Sequence, residues 1–251
     1  MVDELLSLRV ILAAKAPEDH DLFRRAAAAV PVPIDLEFAD SGAAATNCIT
    51  AGADLVYLDN SLAPVEIAQV AAAARTTPNP PFTVLLATGN GDSEAFVTDA
   101  LAGKPAGPEA ATRLIARSIR VRLPSRVLVV DDSSTMRSIV RKLLAGTRFP
   151  LEVREADEGF AALKHVGEAG IDLMFLDYNL PGFSGLETLA ELKREKRWVS
   201  VVIMSSASDE LLPGRARDYG AAFLKKPFYQ PDIEAMLCRF YGLRALNPNR
   251  A

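Results

Sequence analysis

Cysteine is scarce in this chain of 251 residues, with only Cys48 and Cys238. The two lie far apart and fit no ligand spacing, so they read as reduced packing residues and supply neither a disulfide framework nor a zinc site. Positive charge is not in excess either. The 28 Lys and Arg stand against 32 Asp and Glu, a formal net of −4, so no basic field points to nucleic acid. Long apolar runs are missing, and nothing approaches the roughly 20 residues of a membrane-spanning helix. The start, Met1-Val2-Asp3-Glu4, lacks the basic and apolar regions of a signal peptide. These absences lead to the expectation of a cytoplasmic protein with no membrane contact, of ordinary globular composition and long enough for two domains.

What is present centres on Asp172-Leu173-Met174-Phe175-Leu176-Asp177, followed by Tyr178-Asn179-Leu180-Pro181-Gly182. Four apolar residues that end in a carboxylate and a turn read as a buried parallel strand. Asp177 then sits at the carboxyl end of that strand, where open α/β sheets place their ligand sites. A carboxylate there has no packing use.

The chain also repeats itself. Arg9-Val10-Ile11-Leu12 recurs as Arg126-Val127-Leu128-Val129. Asp54 to Asp59 recurs as Asp172 to Asp177, and Val84 to Thr88 as Val202 to Ser206. The order is kept and the offset is nearly constant, so two copies of one domain are expected rather than a solenoid. In the second copy, strands at 127–130, 151–156, 199–204 and 222–225 join the one ending in Asp177. Helices alternate with them. Ser133 or Ser134 caps the first, Asp157 the second, and Ser184 with Glu187 makes a capping box for the third. Pro231 opens the last. This pattern predicts a doubly wound parallel sheet with both faces covered. The domains are placed at 1–122 and 125–251, joined by the short linker Leu123-Pro124-Ser125.

In such a sheet the ends of strands one and three are neighbours, which brings Asp131, Asp132 and Asp177 together. Adjacent carboxylates repel, and a cation relieves that cost. An all-oxygen set suits Mg²⁺. Ser206 ends strand four with a hydroxyl and Lys226 ends strand five with an ammonium. A metal, a hydroxyl and an ammonium around one carboxylate suit a transferred phosphoryl group. Each residue alone has an ordinary reading: a helix cap for Asp131-Asp132, a turn opener for Asp177, a solvated charge for Lys226. It is their coincidence at four strand ends that carries the argument. Lys226 is preferred to Lys225 because Pro227 follows it and because alternation points Lys225 to the other face.

These motifs, with Ser206-Ala207 and Phe223-Leu224-Lys225-Lys226-Pro227-Phe228, resemble the receiver domains of two-component response regulators, the CheY-like family. The resemblance covers Arg126 to about Leu243. It implies that Asp177 accepts phosphate from a histidine kinase or phosphotransfer protein. It implies that Asp132 and Asp177 bind Mg²⁺ directly with the backbone carbonyl of Asn179, while Asp131 acts largely through water. Ser206 and Lys226 would hold phosphoryl oxygens, the Lys226–Pro227 bond would be cis, and Ser206 with Phe223 would form a switch. Phe223 also reads as a plain core residue. The fold implied is a flavodoxin-like (βα)5 domain with five parallel strands, once in each half. Pro213 is expected to break the fourth helix or start it late.

The first copy differs at the acid pair. Ala14 and Lys15 replace the two carboxylates, while Asp59 and Thr88 persist. Lys15 is expected to neutralise Asp59 in place of a metal. Two placements remain for strand five: before Lys104-Pro105, matching Lys226-Pro227, or at Ala95-Phe96-Val97-Thr98 with the fourth helix lost and Asp99 near the lysine position. The second is preferred, because a sheet needs its edge strand more than a surface helix. The expected function is a tandem-receiver response regulator, not an enzyme, with a first domain of the pseudo-receiver type. With no room for a DNA-binding or cyclase domain, phosphorylation would act through domain packing, a downstream protein partner or self-association. The rival is a phosphate sink that drains a kinase. A nucleotide-binding flavodoxin-like protein is disfavoured, since no Gly-rich loop follows either first strand.

Overall fold

The structure, a computed structural model, describes residues 7–88, 98–206 and 211–245. It divides into two compact units. The first comprises Met1–Arg122 together with Tyr241–Ala251, and the second is Leu123–Phe240.

In the second unit, β6 (Ser125–Val130), β7 (Leu151–Ala156), β8 (Leu173–Asp177), β9 (Ser200–Ser205) and β10 (Ala222–Lys225) form one parallel sheet in the order β10-β9-β8-β6-β7. β8 is buried along its whole length, and β9 everywhere but its first residue, whereas the edge strand β7 alternates. That is the pattern a doubly covered sheet imposes on its centre. The helices are α5 (Ser134–Ala145), α6 (Gly159–Ala169), α7 (Gly185–Arg194), α8 (Leu212–Asp218) and α9 (Gln230–Phe240). Ser133 caps α5, its hydroxyl accepting from the Met136 N–H, and Gly146 closes the helix. The Ser184–Glu187 capping box opens α7. α6 starts one residue later than expected: Glu158, not Asp157, is the cap, and it makes no side-chain cap bond. α8 begins late, with Pro213 in its first turn; Ser208, Asp209 and Glu210 lie outside the described residues.

The first unit holds β1 (Leu8–Ala13), α1 (Pro17–Ala28), β2 (Ile34–Ala39), α2 (Gly42–Thr50), β3 (Leu55–Asp59), α3 (Pro64–Thr76), β4 (Phe82–Ala87), β5 (Ala100–Gly103) and α4 (Pro108–Ser118). Its parallel strands run β5-β4-β3-β1-β2, the same order as in the second unit. Two expectations are corrected here. Strand five is Ala100–Gly103, directly before Lys104-Pro105; of the preferred placement, Ala95, Phe96 and Val97 lie outside the described residues. The preference rested on the apolar letters of 95–98, whereas the register with β4 runs from Ala100 opposite Val84 to Gly103 opposite Ala87. Among the described residues no helix stands between β4 and β5. The second correction concerns the domain expected at 125–251. Beyond Phe240 the chain belongs to the first unit, where β11 (Arg244–Ala245) pairs antiparallel with β5 and makes a six-stranded sheet. Tyr241 and Leu243 are buried there.

The repeat is visible in bonds as well as letters. The Arg9 N–H donates to the Asp54 carboxylate at 2.9 Å, and the Arg126 N–H to Asp172 at 2.9 Å. Each Asp N–H returns a bond to the Arg carbonyl, at 2.8 and 2.9 Å. Both cysteines are free. Among the described residues no helix is long and apolar enough to cross a membrane.

Candidate phosphoacceptor and metal site

The site lies at the carboxyl ends of β6, β8, β9 and β10. Parallel pairing fixes it: β6 and β8 are adjacent, and Asp177 pairs Met204 of β9. Asp131 follows β6 at once. One oxygen of its carboxylate accepts from the Ser133 N–H at 3.0 Å and the other from Lys226 Nζ at 2.8 Å. The same ammonium donates to Asp177 Oδ1 at 2.9 Å. It can reach both because the Lys226 N–H bonds the Ser205 carbonyl at 2.8 Å, which ties the lysine to the end of β9. The Lys226–Pro227 peptide is cis. Lys225 is exposed on the other side of the strand.

Asp131 and Asp177 are buried, at 1% and 5% exposure, while Asp132 is exposed. Ligand oxygens of the three carboxylates lie within 4.8 Å of one another. An all-oxygen, partly open set of this kind fits a hard cation that keeps some of its water. Burial pushes the Asp177 carboxyl above its usual range. The hydrogen bond and charge of Lys226 oppose that rise, the charge of Asp131 adds to it, and the Asn179 N–H bond opposes it. For Lys226, burial works downward, but the bonds and charges of Asp131 and Asp177 win and hold the ammonium above its usual value. The loop after Asp177 folds back tightly. The Gly185 N–H bonds the Tyr178 carbonyl at 3.0 Å, and a Cβ at Gly185 would overlap the Asp177 carbonyl oxygen, so only glycine fits. Gly182 has φ +74°, which glycine also permits.

Asn179 sits exposed in this loop. Ser206 is exposed immediately after β9, and Ala207 lies outside the described residues. Phe223, in β10, is half-buried against the core between the sheet and α6, α7 and α8. Sequence reasoning missed Arg137, in the first turn of α5. Its guanidinium donates to the Asp131 and Asp132 carbonyls at 2.7 and 3.3 Å and to Glu155 at 3.1 Å. A cation in a first turn opposes the helix dipole, and that misfit was the available signal.

The equivalent end of the first unit is built differently. Lys104 is the counterpart of Lys226, since its N–H bonds the Ala87 carbonyl at 3.0 Å just as Lys226 bonds Ser205. Its ammonium lies 3.0 Å from Asp59 Oδ2 and 2.6 Å from Asp19 Oδ2. Asp19, in α1, was not singled out by sequence, because an acid in a first helical turn is ordinary. Lys15 does not neutralise Asp59. It reaches Glu66 at 3.3 Å, because it starts on the rim where α3 begins. Ala14 is buried, and Thr88 is exposed and accepts from the Asn60 amide at 3.2 Å.

Residues 127–238 match the profile of the response regulator receiver domain. The chain also aligns with the two-component response regulator ORR11 of Oryza sativa subsp. indica, 34% identical over 120 residues, which cover 46% of this chain and 80% of that protein. The chain belongs to the response regulator receiver family. Chemotaxis protein CheY-3 of Vibrio cholerae is 29% identical over 119 residues, 46% of this chain and 91% of that protein. The cyclic di-GMP phosphodiesterase response regulator RpfG of Xanthomonas campestris pv. campestris is 28% identical over 145 residues, 57% of this chain but only 38% of its own length. A solved structure described as a putative two-component system response regulator/GGDEF domain protein covers 93% of this chain and 98% of its own, with TM-score 0.53 and 18% identity. At that identity the likeness concerns the fold, which extends over both units. Receiver domains are signalling domains that in general bind Mg²⁺ at an acidic phosphorylation site and meet histidine kinases or phosphotransfer proteins.

Proposed function

We propose that the second unit is a phosphoaccepting receiver in which Asp177 takes a phosphoryl group from a histidine kinase or phosphotransfer protein. The observation that carries this is the single Lys226 ammonium bound to both Asp131 and Asp177, with a third carboxylate beside them. One oxygen of Asp177 attacks phosphorus, the bond from phosphorus to the donor nitrogen breaks, and its electron pair leaves with the donor imidazole. Burial makes Asp177 more basic than a solvated carboxylate, which favours it as a nucleophile. Lys226 shifts toward the arriving phosphoryl oxygens, and the Ser206 hydroxyl donates to another. Asp132 and Asp177, with the carbonyl of Asn179, would hold Mg²⁺, and Asp131 would act through its water. Held there, the ion would supply charge to offset the negative charge that transfer gathers. Ser206 and Phe223 are then the residues that register the phosphoryl group, and the output is binding of a protein partner or of a second copy. The first unit is a pseudo-receiver: Lys104 lies between Asp19 and Asp59, where the second unit gathers three acids. The setting is cytoplasmic.

Acetyl phosphate with Mg²⁺ tests the assignment. Intact mass should show one adduct, mapped to Asp177, lost in Asp177→Asn and kept in Asp59→Asn. Labelling that survives Asp177→Asn unchanged overturns it.

A further inference from the structure

The end of β6 poses a backbone problem. The Asp131 and Asp132 carbonyls leave the sheet just before α5 begins, and among the described residues neither accepts a backbone hydrogen bond. Both are met by one side chain. Arg137 Nη1 donates to the Asp131 carbonyl at 2.7 Å and to the Asp132 carbonyl at 3.3 Å. The guanidinium is itself held, since its Nε bonds Glu155 Oε2 of β7 at 3.1 Å. Its side chain is 17% exposed.

The two acids differ in how they are placed. The Asp131 carboxylate is fixed by the Ser133 N–H and by Lys226. Among the described residues the Asp132 carboxylate accepts no hydrogen bond, so the backbone alone sets the point and axis from which it departs. Arg137 grips the carbonyls on both sides of the Asp132 amide and α carbon. It therefore sets the peptide plane from which the Asp132 side chain departs.

We infer that Arg137 is the positioning residue of the acid pair, holding Asp132 where it can ligate the cation. This rests on the reading of Asp131, Asp132 and Asp177 as a Mg²⁺ site. The guanidinium touches neither cation nor phosphoryl group; it acts through the backbone of the residue that does. One nitrogen, Nη1, reaches both carbonyls, and the Nε bond to Glu155 fixes the rigid guanidinium from its other side. Lysine keeps an ammonium with three donors for the carbonyls but has no second nitrogen for Glu155 to hold.

Calorimetric titration of the full chain with MgCl2 tests this, beside thermal melts recorded without the ion. Arg137→Ala should raise the Mg²⁺ Kd by about tenfold or more, the loss typical of an outer partner of a ligand. Arg137→Lys should recover part of the loss. Glu155→Gln should weaken binding in the same direction by less. The plateau rate of acetyl phosphate labelling should return in Arg137→Ala once Mg²⁺ is raised in proportion. Should Arg137→Ala fail to fold, Arg137→Lys and Glu155→Gln decide by the same titration. A wild-type Kd in the folded Arg137 variants overturns the inference, and so does a plateau rate that stays low at saturating Mg²⁺. If the wild-type chain binds no Mg²⁺, it is the reading of the metal site that falls.

Discussion

Lys226 is the residue on which the site turns. Asp177 is held above its usual range by burial, with Lys226 opposing the rise. A carboxyl whose pKa is higher in the folded chain binds protons more readily folded than unfolded. Its contribution to stability therefore falls as pH rises from the unfolded value of 3.8 through the folded one. Lys226→Met removes the opposing cation and leaves two buried carboxylates face to face. The expected cost is about 3–5 kcal/mol at pH 7, and it should shrink on acidification as Asp177 takes up its proton. Urea melts of both proteins at pH 7 and at pH 4.5 measure this. An equal loss at the two values would assign Lys226 a packing role instead. Sequence singled out this lysine because proline followed it and because strand alternation excluded Lys225, and its ammonium bonds both Asp131 and Asp177. It misjudged Lys15, since a rim residue at the start of a loop carries no periodic signal for the direction of its ammonium.

At the scale of elements, the starts of strands are fastened by one bond repeated in both units, and the edge of the first sheet by a returning segment of the chain. The Arg9–Asp54 and Arg126–Asp172 clips fasten the starts of β1 and β6 to the chain just before β3 and β8. β11 is only two residues long, and its antiparallel pairing with β5 covers an edge that would otherwise be open. Tyr241, at 1% exposure, anchors the segment leading into it. Gly242 follows with φ +73°, so the turn between anchor and strand depends on glycine. Tyr241→Ala should destabilise the first unit by about 3–5 kcal/mol, the range for removing a buried aromatic ring. Hydrogen exchange should show protection lost in β4 and β5 and kept in β6 to β10. Loss confined to β10 and α9 would instead tie Tyr241 to the second unit. No sequence pattern announced β11, because a two-residue strand has no period and exists only where an edge accepts it.

For the whole molecule, two units with separate cores on one chain predict two unfolding steps. The second unit is inserted between α4 and β11 of the first. Scanning calorimetry should resolve two transitions, with Mg²⁺ raising one of them. At a hundred times its Kd the ion should add about 2.7 kcal/mol to the unit that binds it. Asp132→Ala should erase that shift and Asp59→Ala should leave it. Loss of the shift in both variants would give the first unit a metal role and overturn its reading as a pseudo-receiver.

The sequence alone determined the two-fold repeat, the parallel strands and the carboxylate cluster of the second unit. Each depends on signals local in the chain: an apolar run ending in an acid, a capping box, a lysine before a proline. Tertiary structure decided what depends on meeting across the fold. It joined Lys104 to Asp19 and Asp59, moved strand five to Ala100–Gly103, placed Arg137 under the acid pair and returned the chain to the first sheet. Register with a neighbouring strand and the reach of long cationic side chains are three-dimensional quantities, and residues distant in sequence enter them on equal terms with adjacent ones.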